Sequence, residues 1–216
     1  MAYMELDTNV GNGTTSFLTK YTRTDPDQYG STYFETYEFK AYAAPGWTFV
    51  RWEVQSCYSD SGYTGNWSSW STLSTSETFT REFECSSAHS TSWGDAWTNY
   101  DRKVRAVFTQ NTYTVAVQVS TDSPNGSGSV SGGGSFHYGD SCTVTATASS
   151  GFKFKKWTAS DSAQAAALST SASYTITVTA NVTLYAHFKV GGTGQLIHGS
   201  SNTLLHGSSG TLLYDD

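Results

Sequence analysis

An aromatic motif occurs twice in the chain and limits the possible folds more than any other feature. The segment Gly46-Trp47-Thr48-Phe49-Val50-Arg51-Trp52 returns as Gly151-Phe152-Lys153-Phe154-Lys155-Lys156-Trp157, each time after an alternating strand that contains Ala. The closing strands agree as well, since Val104-Arg105-Ala106-Val107-Phe108 matches Leu184-Tyr185-Ala186-His187-Phe188. One folding unit used twice explains both matches. The repeat therefore predicts two small modules in tandem.

Alternation along the strands predicts which residues of the repeat reach the core. Residues of one parity between 32 and 43 should share the buried face, namely Tyr33, Tyr37, Phe39, Ala41 and Ala43. The last Trp of the motif has the opposite parity to the aromatic residues before it, in both copies. A β-bulge or a bend between them is therefore expected. The predicted repeat-core anchors are Trp47, Phe49, Trp52, Phe152, Phe154 and Trp157.

The composition favours an all-β protein. Charged residues make up 14% and aromatic residues 15%, and no window shows a sustained helical period, so we expect almost no helix. Residues 160–171 could form a short helix, although Ser and Thr flank them. The net charge of −6 argues against nucleic acid as a partner, because phosphate binding needs clustered Lys and Arg. The sequence also has no transmembrane run, and no membrane insertion is expected.

Several motifs of the second copy resemble a known family. They are the strand beginning at Tyr113, the Gly-rich turn at Asn125, the Tyr138-Gly139-Asp140 turn, the Gly-aromatic-x-Phe-x-x-Trp motif and the final Thr183-Leu184-Tyr185-Ala186 strand. Together they resemble the divergent bacterial B-repeat of the internalin type, from about Tyr113 to Phe188. The first copy is looser, because it lacks the Gly-rich turn and carries a long insertion. The resemblance implies small β-grasp-like or sandwich-like modules, found in bacterial surface proteins and some phage proteins. It implies no catalysis.

The repeat divides the chain into three parts. Residues 1–110 should form the first module, with an aromatic insertion at about 57–100, and residues 111–190 the second module. Residues 191–216 follow as a Gly linker and a short β-hairpin-repeat tail.

The insertion is rich in aromatic residues and poor in aliphatic ones, so it cannot build a core of Leu and Ile. Its rings either form an interaction surface or pad a small module, and the sequence leaves both alternatives open. The candidate interaction surface consists of Tyr63, Trp67, Trp70, Trp93 and Trp97.

The tail has an eight-residue period that predicts short strands joined by Gly-Ser-Ser turns. Adjacent apolar residues would face both sides of each strand. Because a free meander cannot hide both faces, the tail should dock on the second module, on a sister chain or on another protein. The candidate docking residues are Leu196, Ile197, Leu204, Leu205, Leu212, Leu213 and Tyr214.

Residues that could support chemistry do not form a recognisable motif. His198 and His206 repeat in the tail without a third ligand at metal-binding spacing, so we expect no metal and no cofactor. A nucleophile elbow is missing from the sequence, and no enzyme activity is expected. Cys57 and Cys85 bracket part of the insertion and could form a disulfide, which the sequence leaves open. Cys142 should be a buried apolar residue.

The predicted function is structural. Residues 1–5 lead straight into strand-forming sequence without a signal-peptide pattern, which favours a phage protein made in the host cytoplasm. We expect a non-enzymatic phage virion component at the virion surface, such as a head decoration, fibre or tail-associated protein. Its partners would be other virion or surface proteins, and it should be an oligomer. One alternative is a bacterial adhesin fragment at the cell surface or secreted. Another is a module that binds cell-surface glycan through the Trp-rich insertion.

Overall fold

The structure, a computed structural model, describes residues 4–27, 30–60, 63–91, 94–191, 204–206 and 212–214, and it leaves out some side chains within these ranges. The chain divides into two compact units, Met1–Asn111 and Thr112–Asp216. The described residues contain strands and turns and no helix, which confirms the all-β prediction. Accordingly, this part of the chain has no helix suited to crossing a membrane.

Eight strands form one sheet in the first module. They are β1 (Met4–Leu6), β2 (Gly13–Asp27), β3 (Gly30–Ala43), β4 (Trp47–Asp60), β5 (Tyr63–Thr64), β6 (Ser71–Ser74), β7 (Thr78–Thr91) and β8 (Gly94–Gln110). The strand order is β2-β3-β7-β8-β4-β5, while β1 pairs with β8 and β6 pairs with β4. The insertion therefore lengthens β4, β7 and β8 and adds β5 and β6.

This sheet opens into two leaves around the core of the module. β7 pairs with β3 from Thr78 to His89 but with β8 only through Ser86–Thr91, so β8 is separated from the first half of β7. Near the point where β8 separates from β7, the Arg102 guanidinium donates hydrogen bonds to the carbonyls of Glu84 and Tyr100. It lies 5.0 Å from the Phe83 ring centroid. We call β2, β3 and β7 the β3 leaf, and β1, β8, β4 and β6 the β8 leaf. Between the leaves lie the buried residues Tyr37, Phe39, Ala41, Phe49, Trp52, Phe83, Val104, Ala106 and Phe108.

The second module is a sandwich of two separate sheets. Its strands are β9 (Thr112–Val119), β10 (Gly128–Ser131), β11 (Gly134–His137), β12 (Ser141–Ala148), β13 (Phe152–Thr158), β14 (Ser173–Thr177) and β15 (Val182–Val190). One sheet has the order β10-β12-β14 and the other β11-β9-β15-β13. Their inner faces bury Val115, Cys142, Val144, Ala146, Trp157, Val178, Leu184, Ala186 and Phe188.

The two modules share one topology. The orders β2-β3-β7 and β1-β8-β4 in the first module correspond to β10-β12-β14 and β9-β15-β13 in the second. In both modules the first strand runs parallel to the last, as β1 with β8 and as β9 with β15. The fold therefore repeats as the motif predicted.

The predicted bulges are present in both modules. The register of β4 with β8 shifts between Phe49 and Arg51, and that of β13 with β15 shifts between Phe154 and Lys156. Each shift inserts one residue, so the following Trp joins the buried face. Trp52 and Trp157 are both 0% exposed.

The other predicted anchors reach the core to different extents. Phe49 is buried, and Trp47 and Phe154 pack against the cores while partly exposed. Phe152 is half-buried at the start of β13, where it pairs with Val190, and is not in the buried core cluster. It is the first residue of an edge strand, so the core does not enclose it.

Residues 160–171 do not form the short helix considered from the sequence. They make turns and one short bridge, in which Ser169 lies beside Trp157. The Lys156 ammonium donates hydrogen bonds to the carbonyls of Ala163 and Ala165, and this fixes the loop in a non-helical path.

In the tail, β16 (Leu204–His206) pairs antiparallel with β17 (Leu212–Tyr214). Two of the three predicted short strands are therefore present. The remaining predicted docking residues, Leu196 and Ile197, lie outside the described residues.

Candidate functional site

A six-residue segment of the insertion, residues 65–70, runs along β4 and carries two Trp residues. Gly65 donates its backbone N–H to the Tyr58 carbonyl at 2.8 Å, and Ser68 donates to the Ser56 carbonyl at 2.9 Å. The N–H of Ser56 returns a hydrogen bond to Ser68 Oγ at 3.0 Å. β6 follows directly and pairs with β4. The segment is therefore anchored at both ends.

Glu53 organises the charges on the outer face of the β8 leaf. Its carboxylate accepts hydrogen bonds from Arg51 Nη2 at 2.7 Å and from Arg105 Nε at 2.9 Å, and the residue is 7% exposed. Burial acts to raise the pKa of Glu53, but the bonds from the two arginines together outweigh it and hold the pKa below its ordinary value. Glu53 therefore stays ionised and fixes both guanidinium groups.

Two cations of β8 stack against the Trp residues of the segment. The Arg105 guanidinium lies 4.0 Å from the Trp70 ring centroid, and the Lys103 ammonium lies 5.1 Å from that of Trp67. Both distances fit cation–π contacts. We call these four residues, Trp67, Trp70, Lys103 and Arg105, the aromatic–cation patch.

The two Trp residues of the patch differ in exposure. Trp70 is half-buried under Arg105, so it pads the sheet face, whereas Trp67 is 39% exposed. The side chains of Tyr63 and Trp97, and the whole of Trp93, lie outside the described residues. Of the five predicted surface residues, the structure thus places two side chains together.

The charged residues that contact these two rings were not predicted from the sequence. Lys103, Arg105 and Glu53 come from the repeated strands, where the second copy has Thr183, Tyr185 and Thr158. The signal was present in the closing strand of the first copy, because the two outward positions held by Lys103 and Arg105 are uncharged in the second copy.

The three cysteines are free. β8 separates the strands of Cys57 and Cys85, and two strand spacings of about 4.8 Å each exceed the reach of a disulfide. Burial, together with the charge of Glu35, raises the pKa of the Cys85 thiol to about 11. A thiol with a raised pKa stays protonated, so Cys85 is a poor nucleophile. Cys142 is 1% exposed, as the sequence predicted.

Two titratable side chains of the second module, His187 and Asp161, take part in structural hydrogen bonds. Thr158 donates its hydroxyl to the Ser160 carbonyl at 2.7 Å and accepts from His187 Nε2 at 2.8 Å. Asp161 accepts from the Ser120 hydroxyl at 2.6 Å. The His and the Ser thus bond to different partners and form no catalytic triad. Among the described residues, no cluster of His, Cys, Asp and Glu is suited to a metal.

Comparison with protein families gives a match for the second module. Residues 113–192 match the model of the divergent InlB B-repeat domain, which confirms the resemblance seen in the sequence. Repeats of this type occur in bacterial surface proteins. The first module lies outside the matched residues, and its likeness to the second rests on the shared topology. Comparison with curated proteins found no match, and neither did comparison with solved structures.

Proposed function

We propose that this protein is a non-enzymatic attachment protein in which two B-repeat-like modules form the scaffold and the first module presents the binding surface. The observation that carries this proposal is the anchored segment with its aromatic–cation patch. It lies on a sheet that the insertion has lengthened, whereas the second module folds with the same topology and no such segment. The fold itself does not require the patch.

The setting we favour is the surface of a phage virion, with the chain acting as a head decoration, fibre or tail-associated protein. The alternative setting is the bacterial cell surface, where B-repeats occur. Mass spectrometry of purified virions and of peptides shaved from intact bacteria would test the two settings. Recovery of the chain from virions alone supports the first. Recovery from shaved cells alone supports the second.

Attachment itself is testable on cells. Fluorescently labelled full chain should bind bacterial cells, and binding should fall when the patch is altered by the double change Trp67→Ala, Lys103→Ala. The matched control is Tyr42→Ala, which removes a ring that is 57% exposed on the other leaf of the same module. Equal binding by all three proteins would refute the proposed surface.

The tail supports a second element of the proposal, docking to sister chains or to the assembly. Its described strands pair with each other as a two-stranded sheet, a unit that is marginal by itself in water. Deletion of residues 195–216 should leave both modules folded and should lower the mass of the oligomer measured by light scattering. A truncated chain that unfolds would instead make the tail part of the second module.

A further inference from the structure

We propose that the exposed indole of Trp67 is a stacking platform for an uncharged sugar unit of a surface glycan. This inference rests on the proposed attachment function and names the chemistry of the ligand.

The Trp67 ring is held in place before any ligand arrives. Its segment is hydrogen-bonded to β4 at Gly65 and Ser68, on either side of the ring. The Lys103 ammonium lies 5.1 Å from the ring centroid. A ring fixed by its backbone and by a cation loses little conformational entropy when a flat ligand stacks on its open surface.

Each cation around the patch already has a carboxylate partner. Arg51 and Arg105 bind Glu53, and the Lys103 ammonium lies 3.8 Å from a carboxylate oxygen of Glu5. An anionic ligand would have to compete with these carboxylates for the cations, which favours an uncharged ligand.

The surroundings of the ring supply hydroxyl groups. Exposed Ser68, Ser69, Ser71 and Thr72 lie on the same segment and at the start of β6. The hydroxyls of Ser69 and Thr72 can donate and accept hydrogen bonds, whereas those of Ser68 and Ser71 already donate to the carbonyls of Ser69 and Val54 and can only accept. An apolar ring face beside several hydroxyls matches a pyranose sugar, which has an apolar C–H face and polar edges.

The exposed apolar area is too small for a protein partner. A stable protein interface buries about 800 Å² per partner, of which somewhat more than half is apolar. On the patch, Trp70 is already half-buried under Arg105, and Trp67 offers one partly exposed ring. One ring suffices for a single sugar unit, so the geometry favours a glycan contacted at one or two residues.

An array of neutral and acidic glycans, probed with the labelled full chain, tests the proposal. We expect binding to neutral glycans that changes less than about twofold between about 50 mM and about 500 mM salt, because stacking is not screened. Trp67→Ala should weaken this binding at least about 10-fold, which corresponds to 1.4 kcal/mol. Trp67→Phe should retain part of it, and Tyr42→Ala should bind like the wild type.

The possible results separate this inference from the proposed function. Undiminished glycan binding by Trp67→Ala would overturn the inference, and so would salt-sensitive binding to acidic glycans alone. If no glycan binds while the labelled chain still attaches to bacterial cells, attachment stands and the sugar platform is wrong. Circular dichroism and thermal unfolding of each variant show that a loss of binding does not reflect a loss of fold.

Discussion

Trp52 and Trp157 donate their indole N–H groups to corresponding carbonyls, those of Glu77 at 3.4 Å and of Ala172 at 3.3 Å. Both rings are fully buried, and each follows a one-residue bulge. The bulge turns the ring inward and the carbonyl satisfies its one polar group, so the ring can fill the core without leaving a buried donor unpaired.

Replacement of either Trp by Ala should destabilise its own module by about 3–5 kcal/mol, the usual effect of removing a large buried ring. Urea unfolding of the full chain, followed together with amide hydrogen exchange, would assign the loss to residues 4–111 for Trp52→Ala and to residues 112–191 for Trp157→Ala. Trp67→Ala is the control, since that ring is 39% exposed and should cost little. A Trp157→Ala protein as stable as the wild type would show that the ring is not an anchor.

Gly13 and Gly128 should resist substitution for the same steric reason. A Cβ atom at Gly13 would lie 2.4 Å from the ring of Phe108, and one at Gly128 would lie 2.5 Å from the ring of Phe188. Gly13→Ala and Gly128→Ala should each destabilise the module concerned by about 1–3 kcal/mol through overpacking. Gly134→Ala is the control, because the nearest atom there is 3.6 Å away. Equal melting temperatures for Gly128→Ala and Gly134→Ala would contradict this expectation.

Much of the repeated core could be predicted from the sequence because it depends on local alternation. The parity of Tyr37, Phe39 and Ala41 in β3 indicated their burial, whereas Ala43, of the same parity at the end of the strand, is exposed. The reversed parity of Trp52 indicated a bulge. The contact of Trp67 with Lys103 could not be predicted, since it depends on how far β4 and β8 extend past the core. That extension is set by long-range pairing within the insertion, for which a single sequence offers no register signal.

Ser127 should be a site where a smaller side chain stabilises the protein. Its hydroxyl is buried, at 1% exposed, and among the described residues it has no hydrogen-bond partner. Ser127→Ala should raise the free energy of unfolding by about 1 kcal/mol, because it removes an unpaired buried group. Thr158→Val is the opposite case, since it leaves His187 without its partner and should destabilise by about 1–3 kcal/mol. If urea unfolding ranks Ser127→Ala below the wild type, the hydroxyl has a partner in solution.

His187 should make the second module sensitive to mild acid. Burial, followed by the nearby charge of Lys156, lowers its pKa, so the folded state favours the neutral ring. Its contribution to stability is therefore complete above the unfolded pKa of about 6.5 and is lost as the pH falls through the lowered folded value. The fall in unfolding free energy between about pH 7.5 and about pH 5 should be smaller in His187→Gln than in the wild type. Asp161 is present in both proteins, and the charge of His187 is the smallest of the causes that lower its pKa, so its contribution nearly cancels and equal falls would exclude His187 as the cause.

The parallel pairing of the first and last strands of each module has a mechanical consequence. Parallel neighbours begin at the same end of a sheet, so the chain enters a module at one end of this strand pair and leaves at the other. Tension along the chain then slides the two strands past each other and loads their hydrogen bonds together in shear, whereas a hairpin would open one bond at a time. Forced unfolding is governed by the unfolding rate, and shear loading keeps that rate low. A module that is tethered through its two ends therefore resists unfolding under tension.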